Sequence, residues 1–290
     1  MLASLKFLLD APYNRKHRAF AVSRFLQWKA IRFLKLSGRP VTVWGNRKML
    51  LHHDSYQSMM IMYNYIVDWE EFHFISRFVQ PHDSVFDVGA NMGFYTIWLS
   101  RFNTEGSIHS FEPDDTNFDR LSRNIAANKL QDKVILNKLA VSNAIGPLFF
   151  TRGRDGENHI SLDQQTETSI VNAVRLDDYV SATGIGQIAF MKIDVEGFET
   201  QVLEGAEQLL GAKKITVLQL EINKAIKNSG KRVDDLLNLL GRYGYQLCRY
   251  DVNENELRQV NYTEEHENYL ATFDLNVVNE KLKQTKASIA

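Results

Sequence analysis

The chain has 290 residues, of which 44% are hydrophobic and 24% are charged, so it can bury a full core as one domain with an appendage or two. Its single cysteine, Cys248, excludes an internal disulfide and a cysteine-based metal centre and favours a reducing compartment. The sequence shows neither a signal-peptide cleavage pattern nor an uncharged apolar run of about 18 residues, so we expect no transmembrane helix.

The first 40 residues form a basic arm. Residues 1–40 hold nine Lys and Arg residues and one acid, Asp10, which gives +8; because the whole chain carries −1, the rest carries −9. The periodicity predicts a helix over 17–36, turning roughly 100° per residue. Such a helix places Phe20, Val22, Leu26, Ile31, Phe33 and Leu34 on one arc and Arg18, Arg24, Lys29, Arg32 and Lys35 on the other, with Phe25, Trp28 and Leu36 among the basic residues.

Three interpretations of this basic arm stay open. In the first, the apolar arc packs on the rest of the chain. In the second, the arm lies on a membrane surface, as basic amphipathic helices do. In the third, its charges contact nucleic acid. Nucleic-acid binding is not expected, because no recognised nucleic-acid motif accompanies the charges. The sequence therefore predicts a cytoplasmic protein, with peripheral contact at the inner membrane face as an alternative to simple packing. It does not define an oligomeric state.

Residues 41–80 predict a hairpin and a helical lead-in. Two short apolar runs at 41–44 and 49–51 flank a Gly-Asn turn, which is typical of a hairpin. From 54 to 79 the apolar spacing is helical. Tyr63 is a candidate for an aromatic substrate platform, although aromatic residues at helical spacing also serve simply as core.

The most informative stretch is 84–99. Val85, Phe86 and Val88 form an apolar run, and glycines at 89 and 93 flank Asn91 before helical spacing begins. This order predicts strand, tight turn and helix. Glycine and Asn tolerate left-handed backbone, and the start of a helix carries free N–H groups, so we expect a small polar ligand at this turn.

A second strand ends in an acid. The apolar residues Ile108 and Phe111 lie within the predicted strand 107–111, and Glu112-Pro113 follows, 19 residues past Gly93. An acid at the tip of the strand after a glycine-rich turn accepts hydrogen bonds from ribose hydroxyls. Glu112 therefore predicts a nucleoside-containing ligand; the alternative is a surface carboxylate at a strand end.

Residues 114–170 predict a helix, a third strand unit and a polar insertion. The helix spans 114–129 and the strand unit 133–141, whereas 151–170 has no hydrophobic periodicity. Long polar loops within a compact domain are often functional. His159 in this loop is either a general base or a solvated side chain.

Charged residues gather at the ends of two later strands. With a period of two, Lys192, Asp194 and Glu196 share one side of a strand over 188–196, and charges facing a core must pair or line a site. The strand over 215–223 ends in further polar residues. In an open parallel sheet these ends meet at one crevice. The predicted rim of that crevice comprises Asp87, Glu112, Asp194, Glu221 and Asn223.

Asp194, Glu221 and Asn223 also form a candidate magnesium site. All three offer oxygen ligands, and bound Mg²⁺ lowers the pKa of a hydroxyl. In the other interpretation Glu221 only orients a loop, and this alternative is favoured. A helix over 233–241, strands at 245–250 and 271–278 and a polar tail complete the chain.

The order of these motifs resembles the class I S-adenosylmethionine-dependent methyltransferases, and within them the FkbM-type family. The resemblance is carried by FDVGANMGFYT at 86–96, FEP at 111–113, LDDY at 176–179, MKIDVEGFE at 191–199 and LEI at 220–222. It covers roughly 84–223, and with the terminal strand pair most of the last two-thirds of the chain. It implies an α/β Rossmann-like fold with a seven-stranded, mostly parallel sheet, an antiparallel last strand and helices on both faces.

The resemblance also implies S-adenosylmethionine as methyl donor and transfer to a hydroxyl of a saccharide, lipid-linked saccharide or glycosylated natural product. The residues assigned to cofactor binding are Asp87, Gly89, Ala90, Asn91, Gly93, Glu112, Pro113, Ala140 and Asp194. The catalytic assignment is Asp194 as base, assisted by Lys192 or His159, because a hydroxyl nucleophile needs a base within hydrogen-bond reach. The candidate substrate residues are Glu196, Glu221 and Tyr63.

The predicted organisation is a basic arm over 1–40, the lead-in over 41–80, a methyltransferase domain over 81–280 and a polar tail over 281–290. One rival is a nicotinamide-dependent oxidoreductase, but the turn lacks the third glycine of G-x-G-x-x-G. The other rival is a non-catalytic module that binds a glycan or a partner through the arm.

Overall fold

The computed structural model describes residues 6, 8–151, 159–160 and 168–285. The strands of this part are β1 (Ser37–Thr42), β2 (Lys48–His52), β3 (Ser84–Val88), β4 (Ser107–Phe111), β5 (Val134–Asn137), β6 (Ala140–Val141), β7 (Gly146–Thr151), β8 (Thr168–Val174), β9 (Ile188–Ile193), β10 (Ile215–Glu221), β11 (Gln246–Asp251), β12 (Glu256–Gln259) and β13 (Asn268–Thr272). The helices are α1 (Pro12–Lys16), α2 (Arg18–Phe33), α3 (Tyr56–Asn64), α4 (Trp69–Phe78), α5 (Phe94–Leu99), α6 (Asp115–Ala127), α7 (Leu176–Thr183), α8 (Glu199–Glu204), α9 (Glu207–Gly211), α10 (Val233–Arg242) and α11 (Leu275–Gln284).

One large sheet organises the chain. Its strand order is β12-β11-β13-β10-β9-β3-β4-β5. The five strands from β10 to β5 are parallel, and β13, the last strand along the chain, lies antiparallel to both β10 and β11. The α/β class and the antiparallel last strand are therefore confirmed.

The sheet has eight strands rather than seven. The additional strand, β12, pairs antiparallel with β11 at the edge, and its short ELRQ sequence has no apolar run that would predict a strand. A separate three-stranded sheet, β6-β8-β7, lies beyond the main sheet and includes the strands on both sides of the polar insertion.

Alternation along the central strands divides the core into two layers. Val85, Phe190 and Val217 contribute to one hydrophobic cluster, and their neighbours Phe86 and Met191 contribute to the other. Because side chains of a strand alternate between faces, the two clusters lie on opposite faces of the sheet, each covered by helices. Near the carboxyl ends, polar side chains replace apolar ones on the first of these faces.

The basic arm packs on the protein through the arc that the periodicity assigned to solvent. The buried side chains of α2 are Ala21, Arg24, Phe25, Trp28 and Ile31. Arg24 is satisfied there because its guanidinium donates to the Ile61 carbonyl at 2.9 Å and lies 5.0 Å from the centre of the Tyr65 ring. Most of the expected apolar arc stays exposed, so the predicted packing face was wrong.

Two other boundaries differ from prediction. The helix predicted over 54–79 is two helices, because Tyr65 adopts a left-handed conformation with φ 60° directly after α3. The strand predicted at 271–278 ends at Thr272. Asp274 then accepts from the Val277 N–H at 3.0 Å and caps α11, which runs into the segment predicted as a polar tail. The hairpin turned at Gly45-Asn46 is confirmed.

Among the described residues, none of the helices combines the length and apolar character needed to cross a bilayer.

Candidate active site

The glycine turn after β3 has the predicted left-handed backbone. Gly89, Asn91 and Gly93 have φ of 81°, 47° and 92°. The backbone N–H groups of Gly89 and Ala90 both donate to the Phe111 carbonyl, at 3.0 and 2.9 Å. These two amides therefore hold the turn against the end of β4.

Gly89 is needed for a contact between two backbone segments. A Cβ at this position would lie 1.8 Å from the Asp194 carbonyl oxygen, and the Asp194 N–H donates to the Val88 carbonyl at 3.0 Å. A side chain at 89 would therefore push apart the ends of β3 and β9. The glycine turn and the acid that follows β9 form one rigid unit.

Glu112 is fixed at the tip of β4 by two backbone donors. Its carboxylate accepts from the Asn91 and Asp114 N–H groups, each at 2.8 Å. Burial raises the pKa of Glu112 to about 8, although both backbone donors oppose this shift. Each carboxylate oxygen has two lone pairs, so Glu112 retains acceptor capacity for ligand hydroxyls.

A first cavity of about 630 Å³ lies over this turn. Its polar wall includes Asn91, Glu112 and Asp194, and its apolar wall includes Leu139, Ala140, Phe150 and Ile160. This combination of apolar walls and few polar groups is typical of a small-molecule site. Gly89 and Pro113 also line it, whereas Gly93 instead supports the turn against Leu121.

Lys192, Asp194 and Glu221 form a hydrogen-bonded acid–base cluster. The Lys192 ammonium donates to Asp194 Oδ2 at 2.7 Å. Burial alone would raise the pKa of Asp194, but Lys192 and a hydrogen bond to Glu221 lower it. The negative charge of Asp194, together with burial, raises the pKa of Glu221 well above its usual range. Glu221 is therefore protonated at neutral pH and donates to an ionised Asp194.

A row of polar side chains lies beneath this cluster, and the sequence analysis missed three of the residues in it, Asp68, Tyr95 and Gln219. Lys192 is paired in register with Asp87 on β3 and with Gln219 on β10. Tyr95 covers the row: its hydroxyl donates to Asp68 Oδ2 at 2.5 Å and accepts from Gln219 at 2.8 Å. Asp68, Tyr95 and Gln219 come from a loop, a helix and a strand that are far apart along the chain, so no local pattern signals them.

Asp87 belongs to this buried row. Its Oδ2 accepts from Thr96 Oγ1 at 2.6 Å, and its Oδ1 has no hydrogen-bond partner among the described residues. Burial raises the pKa of Asp87, and the Lys192 charge opposes this shift. Asp87 does not line the first cavity. It lines another cavity on the other side of the turn, which we call the third cavity.

The third cavity has a volume of about 790 Å³. Tyr56, Gln57 and Met60 of α3 form one wall, and the opposite wall includes Lys192, Asp194, Glu221, Asp68, Tyr95 and Glu267. Asp194 lines both this cavity and the first cavity. The two spaces therefore adjoin at Asp194, whose side chain is 30% exposed, and they also share Gln57 and Gly89.

A second cavity, of about 1000 Å³, lies next to Glu196 and shares Glu267 with the third. His159 and Asn223 line it. His159 is therefore separated by Glu196 from Asp194, and its ring lies against Phe198 at 6.2 Å between ring centres. The rest of the polar insertion, 152–158 and 161–167, lies outside the described residues.

The oxygen cluster differs from the predicted magnesium set. The acids whose oxygens approach within 4.8 Å of one another are Asp194, Glu196 and Glu221. Asn223 Oδ1 accepts from the Ala225 N–H at 2.7 Å and caps a short helical turn. Grouping acids in this way is no sign of a metal by itself.

Two further residues change the predicted picture. Tyr63 is buried between α2 and α3, 5.6 Å from the Phe25 ring, and lines none of the three cavities. Glu199, which the sequence analysis overlooked, accepts from the Val195 and Gly197 N–H groups, each at 3.1 Å. It thereby holds the turn that carries Glu196, which has a left-handed φ of 54°.

The sheet order and the acid at the tip of β4 define the class I methyltransferase fold. An antiparallel strand between β10 and β11 distinguishes it from the doubled dinucleotide fold, whose sheet is 3-2-1-4-5-6 and parallel. The methyltransferase FkbM domain matches residues 87–247, more than half of the 290 residues. The chain belongs to the FkbM methyltransferase domain family.

Three curated relatives illustrate this similarity. The 31-O-demethyl-FK506 methyltransferase FkbM of Streptomyces tacrolimicus is 29% identical over 161 residues, covering 44% of this chain and 61% of that protein. Hexuronic acid methyltransferase AglP of Haloferax volcanii is 25% identical over 141 residues, covering 49% and 57%. The 2-O-methyltransferase NoeI of Sinorhizobium fredii is 25% identical over 154 residues, covering 47% and 62%. The chain spans about three-fifths of the length of these relatives.

A solved structure, that of methyltransferase FkbM from Methylobacillus flagellatus, is 15% identical, with a TM-score of 0.44 over 88% of this chain and 60% of that one.

Proposed function

We propose that this protein is an S-adenosylmethionine-dependent O-methyltransferase that acts on a hydroxyl of a saccharide or glycosylated molecule. The observation that carries the proposal is the position of Asp194, which lines both the first and the third cavity. A base at that junction reaches a hydroxyl in one cavity while a methyl donor occupies the other. The family match supports methyl transfer.

The chemistry of the residues that line the first cavity suits S-adenosylmethionine. Glu112, with lone pairs to spare beside its two backbone donors, would accept from the ribose hydroxyls. Leu139, Ala140 and Ile160 would contact the adenine. The Asp194 carboxylate attracts a cation, and the bound cofactor supplies an electrophilic methyl group on a positive sulfonium.

The third cavity suits a polyhydroxyl acceptor. Its wall carries the acids Asp68, Glu221 and Glu267 beside the aromatic rings of Tyr56 and Tyr95. Acids and amides accept and donate to sugar hydroxyls, and aromatic rings cover their apolar faces. Two relatives, named a hexuronic acid methyltransferase and a 2-O-methyltransferase, support the same acceptor class.

Asp194 is suited to accept the proton of the acceptor hydroxyl. Lys192 and Glu221 keep its pKa low, so the carboxylate is ionised at neutral pH. A hydroxyl that attacks a methyl group must lose its proton, so it needs such an acceptor within hydrogen-bond distance as the new bond forms. Lys192 at 2.7 Å orients the carboxylate, and the donor and acceptor are aligned because the two cavities meet there.

The cofactor is tested by isothermal titration of the full chain with S-adenosylhomocysteine and, separately, with NAD. We expect saturable binding of S-adenosylhomocysteine and none of NAD. Binding of NAD alone would replace the proposal by the oxidoreductase alternative, and binding of neither would favour the non-catalytic module.

The base is tested with Asp194→Asn. Methyl transfer from labelled S-adenosylmethionine to a panel of saccharides, hexuronic acids included, should fall by about a hundredfold or more, with affinity for S-adenosylhomocysteine unchanged within a few-fold. Asp178→Asn, an exposed aspartate on α7, is the matched control. A near wild-type rate for Asp194→Asn would assign the base to another residue.

A further inference from the structure

Helix α2 carries a second apolar stripe that faces away from the protein. Ala19, Val22, Leu26, Ala30 and Phe33 follow one another at spacings of three and four residues and are all exposed, so they share one face of the helix. Leu26 is 61% and Phe33 86% exposed. Six of the twelve large hydrophobic side chains that the described residues expose lie within 20–36, and Val22, Leu26 and Phe33 of the stripe are among them.

The opposite face of α2 is firmly held. Trp28 is 1% exposed, and Arg24 is 3% exposed and donates to the Ile61 carbonyl of α3. From α1, the Asn14 side chain donates to the Tyr63 carbonyl at 2.5 Å. The outward stripe is therefore presented on a helix whose orientation is set by buried contacts, and packing on the domain does not consume it.

The surroundings of the stripe are strongly basic. Arg18 and Lys29 flank it, and both are exposed. Residues 11–40 contain no acid, and residues 1–40 carry +8 within a chain of net charge −1. An apolar stripe bordered by cations complements a surface that is apolar beneath a layer of negative charge.

We propose that the face of α2 formed by Ala19, Val22, Leu26, Ala30 and Phe33, with Arg18 and Lys29 at its border, docks on an anionic phospholipid bilayer. Leu26 and Phe33 enter the acyl boundary, and the basic side chains contact the phosphate headgroups. The helix lies in the interface plane with its buried face toward the protein.

A second copy of the chain is a poorer occupant of this face. In a two-fold interface the same patch meets itself, which would place two segments of +8 against each other with no acid in 11–40 to neutralise them. Like charges opposed in this way destabilise an interface. Anionic lipid removes the same repulsion.

Helix α3 lies between the buried face of α2 and the proposed acceptor site. On one side α3 contacts α2, where the Tyr63 ring lies 5.6 Å from Phe25. On the other side Tyr56, Gln57 and Met60 of α3 line the third cavity. This inference does not depend on the proposed reaction, because it concerns only where the protein sits.

The test is co-sedimentation of the full chain with vesicles of phosphatidylcholine alone and of phosphatidylcholine mixed with phosphatidylglycerol. We expect binding to the anionic vesicles and little to the zwitterionic ones. The double variant Leu26→Gln/Phe33→Gln removes the apolar contact without adding charge, and it should weaken binding by about tenfold or more. Val277→Gln, at an exposed apolar position of α11, is its control.

The ionic contribution is tested with Arg18→Gln/Lys29→Gln. It should weaken binding to anionic vesicles by about tenfold and reduce the dependence on salt, whereas Arg242→Gln/Lys283→Gln, which removes the same charge elsewhere, should not. Unchanged thermal unfolding shows that the variants fold. Binding to neither vesicle type overturns the proposal, as does a dimer in sedimentation velocity that Leu26→Gln/Phe33→Gln converts to a monomer.

Discussion

At the scale of single residues, the site depends on how protons are distributed among buried acids. Asp194 stays ionised because Lys192 donates to it, and Glu221 holds a proton because a second negative charge next to Asp194 is unfavourable. The polar side chains at the carboxyl edge of the sheet are thus neither solvated nor inert. Each is kept in one protonation state by a neighbour.

The pKa of Glu199 provides a test of how burial affects an acid near the site. Burial raises its pKa from 4.5 to about 7, so the folded protein binds a proton that the unfolded chain has already lost at about pH 5.5. The stability that this proton contributes is present below pH 4.5 and is lost as the pH rises through about 7. Glu199→Gln is neutral throughout and lacks this loss.

We therefore expect Glu199→Gln to gain stability relative to wild type between about pH 5.5 and pH 8.5, by about 2 kcal/mol. Urea unfolding at both pH values measures the difference. Glu280→Gln, an exposed glutamate on α11, reports the effect of removing a carboxylate elsewhere. A constant difference between Glu199→Gln and wild type would show that Glu199 is ionised in the folded protein at both pH values.

At the scale of elements, the turn after β3 is fixed by the strand beside it. Gly89→Ala would place a Cβ 1.8 Å from the Asp194 carbonyl oxygen, and we expect a loss of about 3 kcal/mol or more in the free energy of unfolding, with loss of S-adenosylhomocysteine binding.

Gly146→Ala separates this contact from backbone strain. Gly146 also has a positive φ, of 101°, but within the described part of the chain no atom beyond its two neighbours in sequence lies within 4 Å of its added Cβ. It should lose only about 1 kcal/mol. Equal losses in the two variants, measured by urea unfolding, would show that φ alone makes Gly89 necessary.

The packing of α2 on the rest of the protein depends on the buried guanidinium of Arg24. Burial lowers the pKa of Arg24 to about 10, and the nearby tyrosines Tyr65 and Tyr13 oppose this shift. The Arg24 guanidinium is accommodated by the Ile61 carbonyl and the Tyr65 ring. Arg24→Ala removes this contact and leaves a gap beside Trp28.

We expect Arg24→Ala to weaken the attachment of α2 by about 2 to 4 kcal/mol. Hydrogen exchange should show faster exchange of the α2 amides, while β3 and β9 amides keep their protection. Arg18→Ala, an exposed arginine at the start of the same helix, should leave exchange unchanged. Uniformly faster exchange across the sheet would show that α2 does not open as a separate unit.

At the scale of the whole molecule, ligand binding and stability are linked. S-adenosylhomocysteine at about 100 times its dissociation constant should stabilise the fold by about 2.7 kcal/mol, a rise of about 4 °C in melting temperature for a chain of this size. Glu112→Ala should abolish most of this rise, and Glu254→Ala, an exposed glutamate, should not. A full rise in Glu112→Ala would remove Glu112 from the cofactor site.

Much of the main sheet was predictable because its signals are local. The apolar run before Gly89, the acid at Glu112 and the strand ending at Ile193 are each read from neighbouring residues, and the chain order of such units implies parallel pairing. Strand β12 was not predictable in this way, because its four residues are largely polar and become a strand only by pairing with β11.

The sequence by itself determined the strand, turn and helix at 84–99, the acid at Glu112 and the charge of the arm, because periodicity, spacing along the chain and charge are local properties. Only the tertiary structure decided that a side chain at position 89 would clash with the Asp194 carbonyl, and that Asp68 and Tyr95 join the site. It also decided that α2 packs through the face that contains Arg24 and Trp28 and leaves Leu26 and Phe33 exposed. These outcomes depend on contacts between residues far apart along the chain, and periodicity reports that a helix has two faces without reporting which one meets the protein.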